Sequence, residues 1–337
     1  MNDTPAPTDL SPGLTGSADS TLGQRLTAEA LGTLVLVLVG CGAIVVPLLR
    51  LVDLYDERDE LSSFDLLAQS STPLVSFTFG FLIIGLGFAL GRTSGAHLNP
   101  ALSIGAAAAG RMPWSDALRY CLAQLGGAIL GGALLLLLAS GFDSFNAFDV
   151  PLGHSAWGDA GTGYAWWAAL LLEIVLTAFF VHVFLGATDE RNPHRAFAPI
   201  AIGLGFGALY FLSVPAVNGG LHPAKAIGAA LFSGSDALGA LYVFVIGPVL
   251  GALLAGMLHP VLFGRGSDPV PGSGVAFRTP QVSSSRFETS PYAEQHPSQE
   301  PIIQDGWMWD AAAQQWVPAP IGVDPASERT QIRPPNA

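Results

Sequence analysis

Two short stretches of similar sequence hold polar side chains suited to binding a small neutral molecule. Residues 99–107 begin Asn-Pro-Ala, and residues 222–230 begin His-Pro-Ala and continue with Lys225, the only lysine in the chain. An amide, an imidazole and an ammonium group all donate hydrogen bonds to a solute oxygen. A repeat of this kind in an apolar chain is typical of membrane transport proteins that form a central site from two related halves.

The composition predicts a protein that crosses a membrane several times. Half of the residues are hydrophobic and only 12% are charged, whereas about a quarter of a soluble domain is charged. Much of the acid behind the net charge of −12 lies in residues 53–65 and in the two tails, so no basic face is expected for a nucleic acid. Cys41 and Cys121 form no metal-binding pattern, and we find no enzyme signature.

Six apolar segments are close to the ~20 residues that span a bilayer. The repeated motifs lie between the second and third segments and between the fifth and sixth. Each motif opens an Ala-rich stretch of roughly ten residues, which is too short to cross. Proline at the first helical position favours a helix start, so each motif is interpreted as a half-helix that re-enters the membrane. The six segments run approximately over residues 26–49, 75–91, 117–140, 165–186, 197–214 and 237–263.

The two ends of the chain differ from this apolar region. Residues 1–23 and 264–337 are rich in Pro, Ser and other polar residues, which predicts disordered tails. Arginines concentrate on one side of a six-span arrangement, so the positive-inside rule places both termini in the cytoplasm. Trp307, Trp309 and Trp316 lie in the second tail, where they either contact a partner or the membrane interface or have no ordered role.

Several motifs resemble, in order and spacing, those of the major intrinsic protein family, the aquaporins and glycerol facilitators. Residues 94–101, Ser-Gly-Ala-His-Leu-Asn-Pro-Ala, are similar to the first signature of that family. The starts of its first, fourth and fifth helices resemble residues 28–33, 172–177 and 196–203.

The resemblance covers residues 24–263, with repeat halves of about 24–140 and 164–263. It implies an all-α membrane protein with six transmembrane helices and two re-entrant half-helices in an inverted repeat. The implied function is a passive channel for water and small neutral solutes such as glycerol that excludes protons and cations. The resemblance also implies a homotetramer in the cell membrane, with no cofactor and no enzymatic activity.

Three groups of residues receive roles from the resemblance. The signature residues at the centre of the pore are Asn99, Pro100, Ala101, His222, Pro223 and Ala224. The selectivity constriction consists of Phe79, Tyr210, Gly219 and Lys225. The residues expected to anchor the re-entrant loops are Glu29, Glu173 and His97.

The second motif departs from the family, whose signature is normally Asn-Pro-Ala followed by arginine. His222 and Lys225 stand at those two positions. A neutral imidazole still donates one hydrogen bond, but an ammonium lacks the planar fork of a guanidinium, so we expect a less rigid constriction. The alternatives are a His222 that only packs and a Lys225 that extends to the outer surface.

The residues leave three functions open. Two aromatic rings and a glycine at the constriction favour a polyol, whereas Ala226 stands where glycerol facilitators carry an aspartate, so water and small polyols are both candidates. Glu29 and Glu173 would serve a proton-coupled or gated transporter if they changed protonation. A pore plugged by Tyr210 and His222 would make a non-conducting membrane protein.

Overall fold

The computed structural model describes residues 20–54, 62–143, 145, 152–264, 303–304, 307–310 and 315–318. The chain divides into two units, Met1–Val270 and Pro271–Ala337. Every helix that the structure describes belongs to the first unit, and the described residues of the second unit form three short strands.

The described part of the first unit contains eight α-helices. They are α1 (Leu22–Leu54), α2 (Ser62–Ser94), α3 (Pro100–Ala108), α4 (Trp114–Ala139), α5 (Trp166–Ala187), α6 (Ala198–Val217), α7 (Pro223–Ala230) and α8 (Ser235–Phe263). Six are long and apolar enough to span a membrane. The other two, α3 and α7, have nine and eight residues and each begins at the proline of its motif. The predicted fold class, with six spans and two half-helices, is confirmed.

The helices pack as two inverted halves. In the first half α1 packs along α4, and in the second half α5 packs along α8 in the equivalent way. Each half-helix contacts a long helix of the opposite half, because α3 packs on α8 and α7 packs on α4. The α2 and α6 helices contact each other between the halves. This exchange brings α3 and α7 together in the interior.

Glycine allows the paired helices to approach closely. A Cβ atom at Gly127 of α4 would lie 2.0 Å from the Ala30 carbonyl oxygen of α1. At the equivalent place in the second half, a Cβ atom at Gly251 of α8 would lie 2.4 Å from the Ile174 carbonyl oxygen of α5. Because membrane helices associate through such close packing, the two glycines are required by the fold.

Two helices extend past the predicted apolar segments. The first two segments are predicted over residues 26–49 and 75–91, but α1 continues to Leu54 and α2 already begins at Ser62. Hydropathy marks only the apolar part of a helix, so it misses a polar first turn that extends past the hydrocarbon. The run Ser-Ser-Phe-Asp from Ser62 is typical of a helix N-terminus and is the signal that was available.

The second unit corrects the prediction of a wholly disordered C-terminal tail. Strands β1 (Ile303–Gln304), β2 (Trp307–Asp310) and β3 (Gln315–Pro318) form an antiparallel sheet in the order β1-β2-β3. Gln304 pairs with Trp307 across the two-residue connection Asp305-Gly306, and Asp-Gly is a strong signal for a tight hairpin. The predicted tail 1–23 and the remainder of 264–337 lie almost entirely outside the described residues.

Replacing Gly127 with alanine is expected to destabilise the protein. The new methyl group would collide with the α1 backbone, and overpacking of this kind costs about 1–3 kcal/mol. Gly126→Ala is the matched control, because a Cβ atom there meets nothing within 4 Å. Thermal unfolding in detergent should show a lower melting temperature for Gly127→Ala only. Equal melting temperatures for the two variants would contradict the described packing of α1 on α4.

Candidate functional site

The two half-helices begin at N-termini that meet in the interior. Asn99 is the N-cap of α3, and its Oδ1 accepts a hydrogen bond from the backbone N–H of Ala101 at 2.9 Å. Its Nδ2 donates to the carbonyl oxygen of Leu221, also at 2.9 Å. Since Leu221 directly precedes the cap of α7, one buried side chain joins the two repeated motifs.

His222 occupies the equivalent cap position on α7. Its Nδ1 accepts a hydrogen bond from the backbone N–H of Lys225 at 3.1 Å, so a neutral ring carries its proton on Nε2. Nε2 is buried. Asn99 and His222 both border a narrow cavity of about 10 Å³, which is close to the smallest space that holds one water.

The loops before the half-helices have left-handed backbone at matching positions. Leu98 and Leu221, each one residue before a cap, have φ values of 52° and 64°. Ala96, at 47°, matches Gly219, at 78°, and Gly95, at 86°, matches Asn218, at 60°. In residues other than glycine such conformations cost about 1–3 kcal/mol each and persist only where surrounding groups impose them. Two buried carboxylates are among the groups that bond to these loops.

Glu29 on α1 accepts four hydrogen bonds, and its side chain is inaccessible to solvent. Two come from the backbone N–H groups of His97 at 3.0 Å and Leu98 at 2.6 Å. The other two come from Ser94 Oγ at 2.6 Å and Gln124 Nε2 at 2.7 Å. Both carboxylate oxygens are therefore occupied by donors that hold the first loop.

Glu173 on α5 has the equivalent position but fewer partners. Its Oε2 accepts a hydrogen bond from the backbone N–H of Leu221 at 2.7 Å. Its Oε1 is buried without a hydrogen-bond partner among the described residues. A Cβ atom at Gly220 would overlap Oε1 of Glu173, so the loop passes directly over the carboxylate. Both halves therefore place a buried carboxylate against the loop before the half-helix, but Glu173 accepts fewer hydrogen bonds than Glu29 does.

His97 lies on the other side of the first loop. Its Nδ1 is 3.0 Å from Ser103 Oγ, and its ring makes edge contacts with Tyr120 and Phe184. His97 also lines a wider cavity of about 280 Å³ that includes Arg111 among its residues. Its ring therefore stands between the narrow central cavity and this wider one, both of which it borders.

Lys225 is completely buried and does not extend to the outer surface. Its ammonium nitrogen lies 2.8 Å from the Gly219 carbonyl oxygen, 3.4 Å from the Asn218 carbonyl oxygen and 3.2 Å from Ser155 Oγ. An ammonium has three N–H donors, and three acceptors surround this one. The single lysine thus binds the second loop to residue 155, which belongs to the connection between α4 and α5.

Three aromatic rings pack beside the second loop. The ring centroid of Tyr210 is 4.8 Å from that of Phe79 and 4.3 Å from that of Phe206. The Tyr210 hydroxyl donates to the carbonyl oxygen of Gly220 at 3.0 Å. A Cβ atom at Gly219 would lie 3.1 Å from the Tyr210 ring. The structure therefore brings together all four residues predicted for the constriction, and Phe79, Tyr210 and Lys225 have no solvent-accessible surface.

Polar residues that the sequence patterns do not single out complete this arrangement. Ser155 donates from Oγ to the Gly219 carbonyl oxygen, and Asn218 donates from Nδ2 to the His154 carbonyl oxygen at 2.7 Å. Both lie in loops, where hydropathy gives no signal. Gln124 could have been found, because a polar side chain inside an apolar transmembrane segment points to a functional or structural partner.

This combination of six spans, two re-entrant half-helices and an inverted repeat defines a membrane channel fold. The sequence profile described as "Major intrinsic protein" matches residues 17–259. The chain is 37% identical over 243 residues to Aquaporin Z of Brucella melitensis, a match covering 72% of this chain and 99% of that protein. The X-ray structure of the aquaglyceroporin from Plasmodium falciparum aligns with a TM-score of 0.57 at 21% identity, over 71% of this chain and 96% of that chain.

The chain belongs to the major intrinsic protein family. The profile match covers well over half of its length, which confirms the family suggested by the motifs. The structural comparison, at 21% identity, supports the fold alone. The protein is therefore a multi-pass membrane protein of a channel family.

The two buried carboxylates should respond differently to replacement by an amide of the same shape. In Glu29→Gln the new NH₂ group would face a donor, and an unsatisfied buried donor costs about 1–3 kcal/mol. In Glu173→Gln the NH₂ group can take the place of the unpartnered Oε1. Thermal unfolding in detergent should show a clearly larger loss for Glu29→Gln. A larger loss for Glu173→Gln would contradict the described contacts.

A further prediction concerns His154, in the connection between α4 and α5 and outside the spanning helices. Burial lowers the pKa of His154 from its ordinary 6.5 to about 4, and the charge of Lys225 acts in the same direction. Between these values the unfolded chain binds the proton and the folded chain does not, so acidification across this window destabilises the fold. The melting temperature of His154→Gln should fall less than that of the wild type between pH 6.5 and pH 4. Identical pH profiles for wild type and His154→Gln would refute the assignment.

Proposed function

We propose that the protein is a passive channel for water and small neutral solutes. The observation that carries the proposal is the hydrogen bond from Asn99 to the Leu221 carbonyl oxygen, because it holds the two half-helix N-termini against one narrow cavity. Asn99 and His222 supply donors there, with Pro100, Ala101, Pro223 and Ala224 forming the first turns behind them. The similarity to Aquaporin Z of Brucella melitensis also supports water as a solute.

In this proposal, the positive electrostatic potential at the N-termini of the two half-helices excludes protons and cations. Each half-helix directs the positive end of its dipole and its free N–H groups toward the meeting point. A cation that enters would lose its hydration against these positive groups, whereas a neutral solute can accept their hydrogen bonds. The charge of Lys225, at the constriction with Phe79, Tyr210 and Gly219, adds to the barrier.

Glu29, Glu173 and His97 act as loop anchors in this proposal and not as a proton relay. Glu29 accepts four hydrogen bonds, so releasing it to carry a proton would leave several buried donors without a partner. This favours a channel over a proton-coupled transporter. The second candidate function is a non-conducting protein, which the complete burial of Phe79, Tyr210 and Lys225 supports.

The setting of the channel is also part of the proposal. The wide cavity lined by Arg25, Arg111 and Asp116 opens to the cytoplasm if the positive-inside rule holds, which places both termini there. We propose the cell membrane as the location and a homotetramer as the assembly. Cross-linking of the detergent-solubilised protein followed by mass measurement tests the assembly.

Stopped-flow light scattering of liposomes containing the purified protein tests the function. A sucrose gradient should shrink these liposomes faster than empty ones, and a pH-sensitive dye inside them should report no added proton flux. Movement of solute only under a proton gradient would support a transporter. Shrinkage no faster than that of empty liposomes would support the non-conducting alternative.

The double variant His222→Asn with Lys225→Arg tests the two divergent residues of the second motif. It restores the donors that the family normally has at these positions, so the ratio of glycerol permeability to water permeability should fall. His182→Asn, which exchanges a histidine outside the half-helices, should leave the ratio unchanged. An unchanged ratio in the double variant would show that neither residue lines the path.

A further inference from the structure

The small antiparallel sheet of the second unit has three tryptophans at positions that share one face. Trp309 pairs directly with Trp316, and Trp307 pairs with Pro318. Paired residues of an antiparallel sheet lie on the same face, and so do residues two positions apart along a strand. The register therefore places Trp307, Trp309, Trp316 and Pro318 together on one face, which we call the tryptophan face.

A sheet face of this composition is suited to binding a proline-rich segment. Aromatic-lined surfaces bind such segments in the polyproline II conformation, and proline lowers the entropy cost because it already restricts the backbone. Directly paired residues lie about 5 Å apart and diagonal ones about 7–8 Å apart. The four positions of the tryptophan face thus form one continuous surface for an extended peptide.

The charge of the sequence around the sheet indicates the charge of the segment that binds. Residues 287–328 contain no lysine or arginine and seven acidic residues: Glu288, Glu294, Glu300, Asp305, Asp310, Asp324 and Glu328. Anionic lipids at a membrane surface repel an acidic segment, whereas a basic peptide is attracted to it. The charges therefore favour a basic, proline-rich peptide over a membrane surface.

Residues 329–337 have both properties. They read Arg-Thr-Gln-Ile-Arg-Pro-Pro-Asn-Ala, with two arginines, the only two consecutive prolines of the chain and no acidic residue. Arginine also interacts favourably with the faces of tryptophan rings. Residues 319–328 connect this segment to the end of β3, and ten residues span at most about 35 Å. A four-residue strand is only about 14 Å long, so the connection is long enough for the segment to fold back over the sheet.

We infer that residues 329–337 dock on the tryptophan face. The occupant of this face is thus a basic proline-rich segment of the chain itself, with Arg333, Pro334 and Pro335 at its centre. While it is docked, it excludes other proline-rich peptides from the face. The inference does not depend on the proposed channel function, because the segment and the sheet both belong to the second unit.

The experiment measures binding of a fluorescein-labelled peptide with the sequence of residues 329–337 by fluorescence anisotropy. The protein is purified in nanodiscs of neutral lipid, both as the full chain and as a form that ends at residue 328. The truncated form should bind the peptide at least about tenfold more tightly, because in the full chain the tethered segment competes at an effective concentration of about 1 mM. A peptide that carries Pro334→Ala and Pro335→Ala should bind neither form.

Two variants of the truncated form distinguish the faces of the sheet. Trp316→Leu removes an aromatic ring from the tryptophan face, so peptide binding should be lost. Met308→Leu is the matched control, because Met308 pairs with Val317 on the opposite face, and it should retain binding. Hydrogen exchange of residues 303–318 verifies that each variant forms the sheet. The comparison of full and truncated forms tests the inference even if Trp316→Leu loses the sheet.

Three results would overturn the inference. The first is equal affinity of the full and truncated forms for the peptide, or no binding to the truncated form. The second is loss of binding in Met308→Leu with binding retained in Trp316→Leu, which would assign the opposite face. The third is slower hydrogen exchange of residues 303–318 in nanodiscs of anionic lipid than in neutral ones, unaffected by truncation, which would assign the membrane surface as the occupant.

Discussion

Backbone that is not helical must find hydrogen-bond partners inside the protein when it lies at membrane depth. Two loops of this chain meet that constraint, and the rest of the structure depends on it. Glu29 accepts two backbone N–H groups of the first loop, and Glu173 accepts one from the second. The Asn99 side chain then joins the two loops to each other. These contacts stabilise left-handed residues that would otherwise be strained, and they hold both half-helices with their N-termini toward one point.

The two halves satisfy this constraint in unequal ways. In the first half Glu29 accepts four hydrogen bonds, two of them from backbone N–H groups of the first loop and one from Gln124 of α4. In the second half Oε1 of Glu173 has no hydrogen-bond partner within the part of the chain that the structure describes. The carbonyl oxygens of the second loop accept hydrogen bonds from side chains that include Lys225 and Tyr210. An internal repeat sets a shared backbone, and substitutions such as His222 and Lys225 then give each half its own hydrogen-bonding character. The two halves therefore differ in hydrogen bonding although they share one fold.

Much of the fold followed from the sequence because its signals are local. Apolar length identified the six spans, and Pro100 and Pro223 marked the starts of both half-helices. The early start of α2 and the β-hairpin around Asp305-Gly306 were missed, since hydropathy reports burial in lipid and not polar helix turns or short strands. At the site, the resemblance supplied the residues, but it could not supply the partners of Lys225. Ser155 lies 70 positions away in the sequence, and only the folded loops bring it to the ammonium.

The most direct test of the central claim is a high-resolution experimental structure of the protein in a lipid bilayer. Nδ2 of Asn99 should lie within hydrogen-bond distance of the Leu221 carbonyl oxygen, and both oxygens of Glu29 should contact donors of the first loop. Pro100 and Pro223 should then stand close together in the protein interior. A structure in which these two prolines are far apart, or in which either faces lipid, would contradict the account.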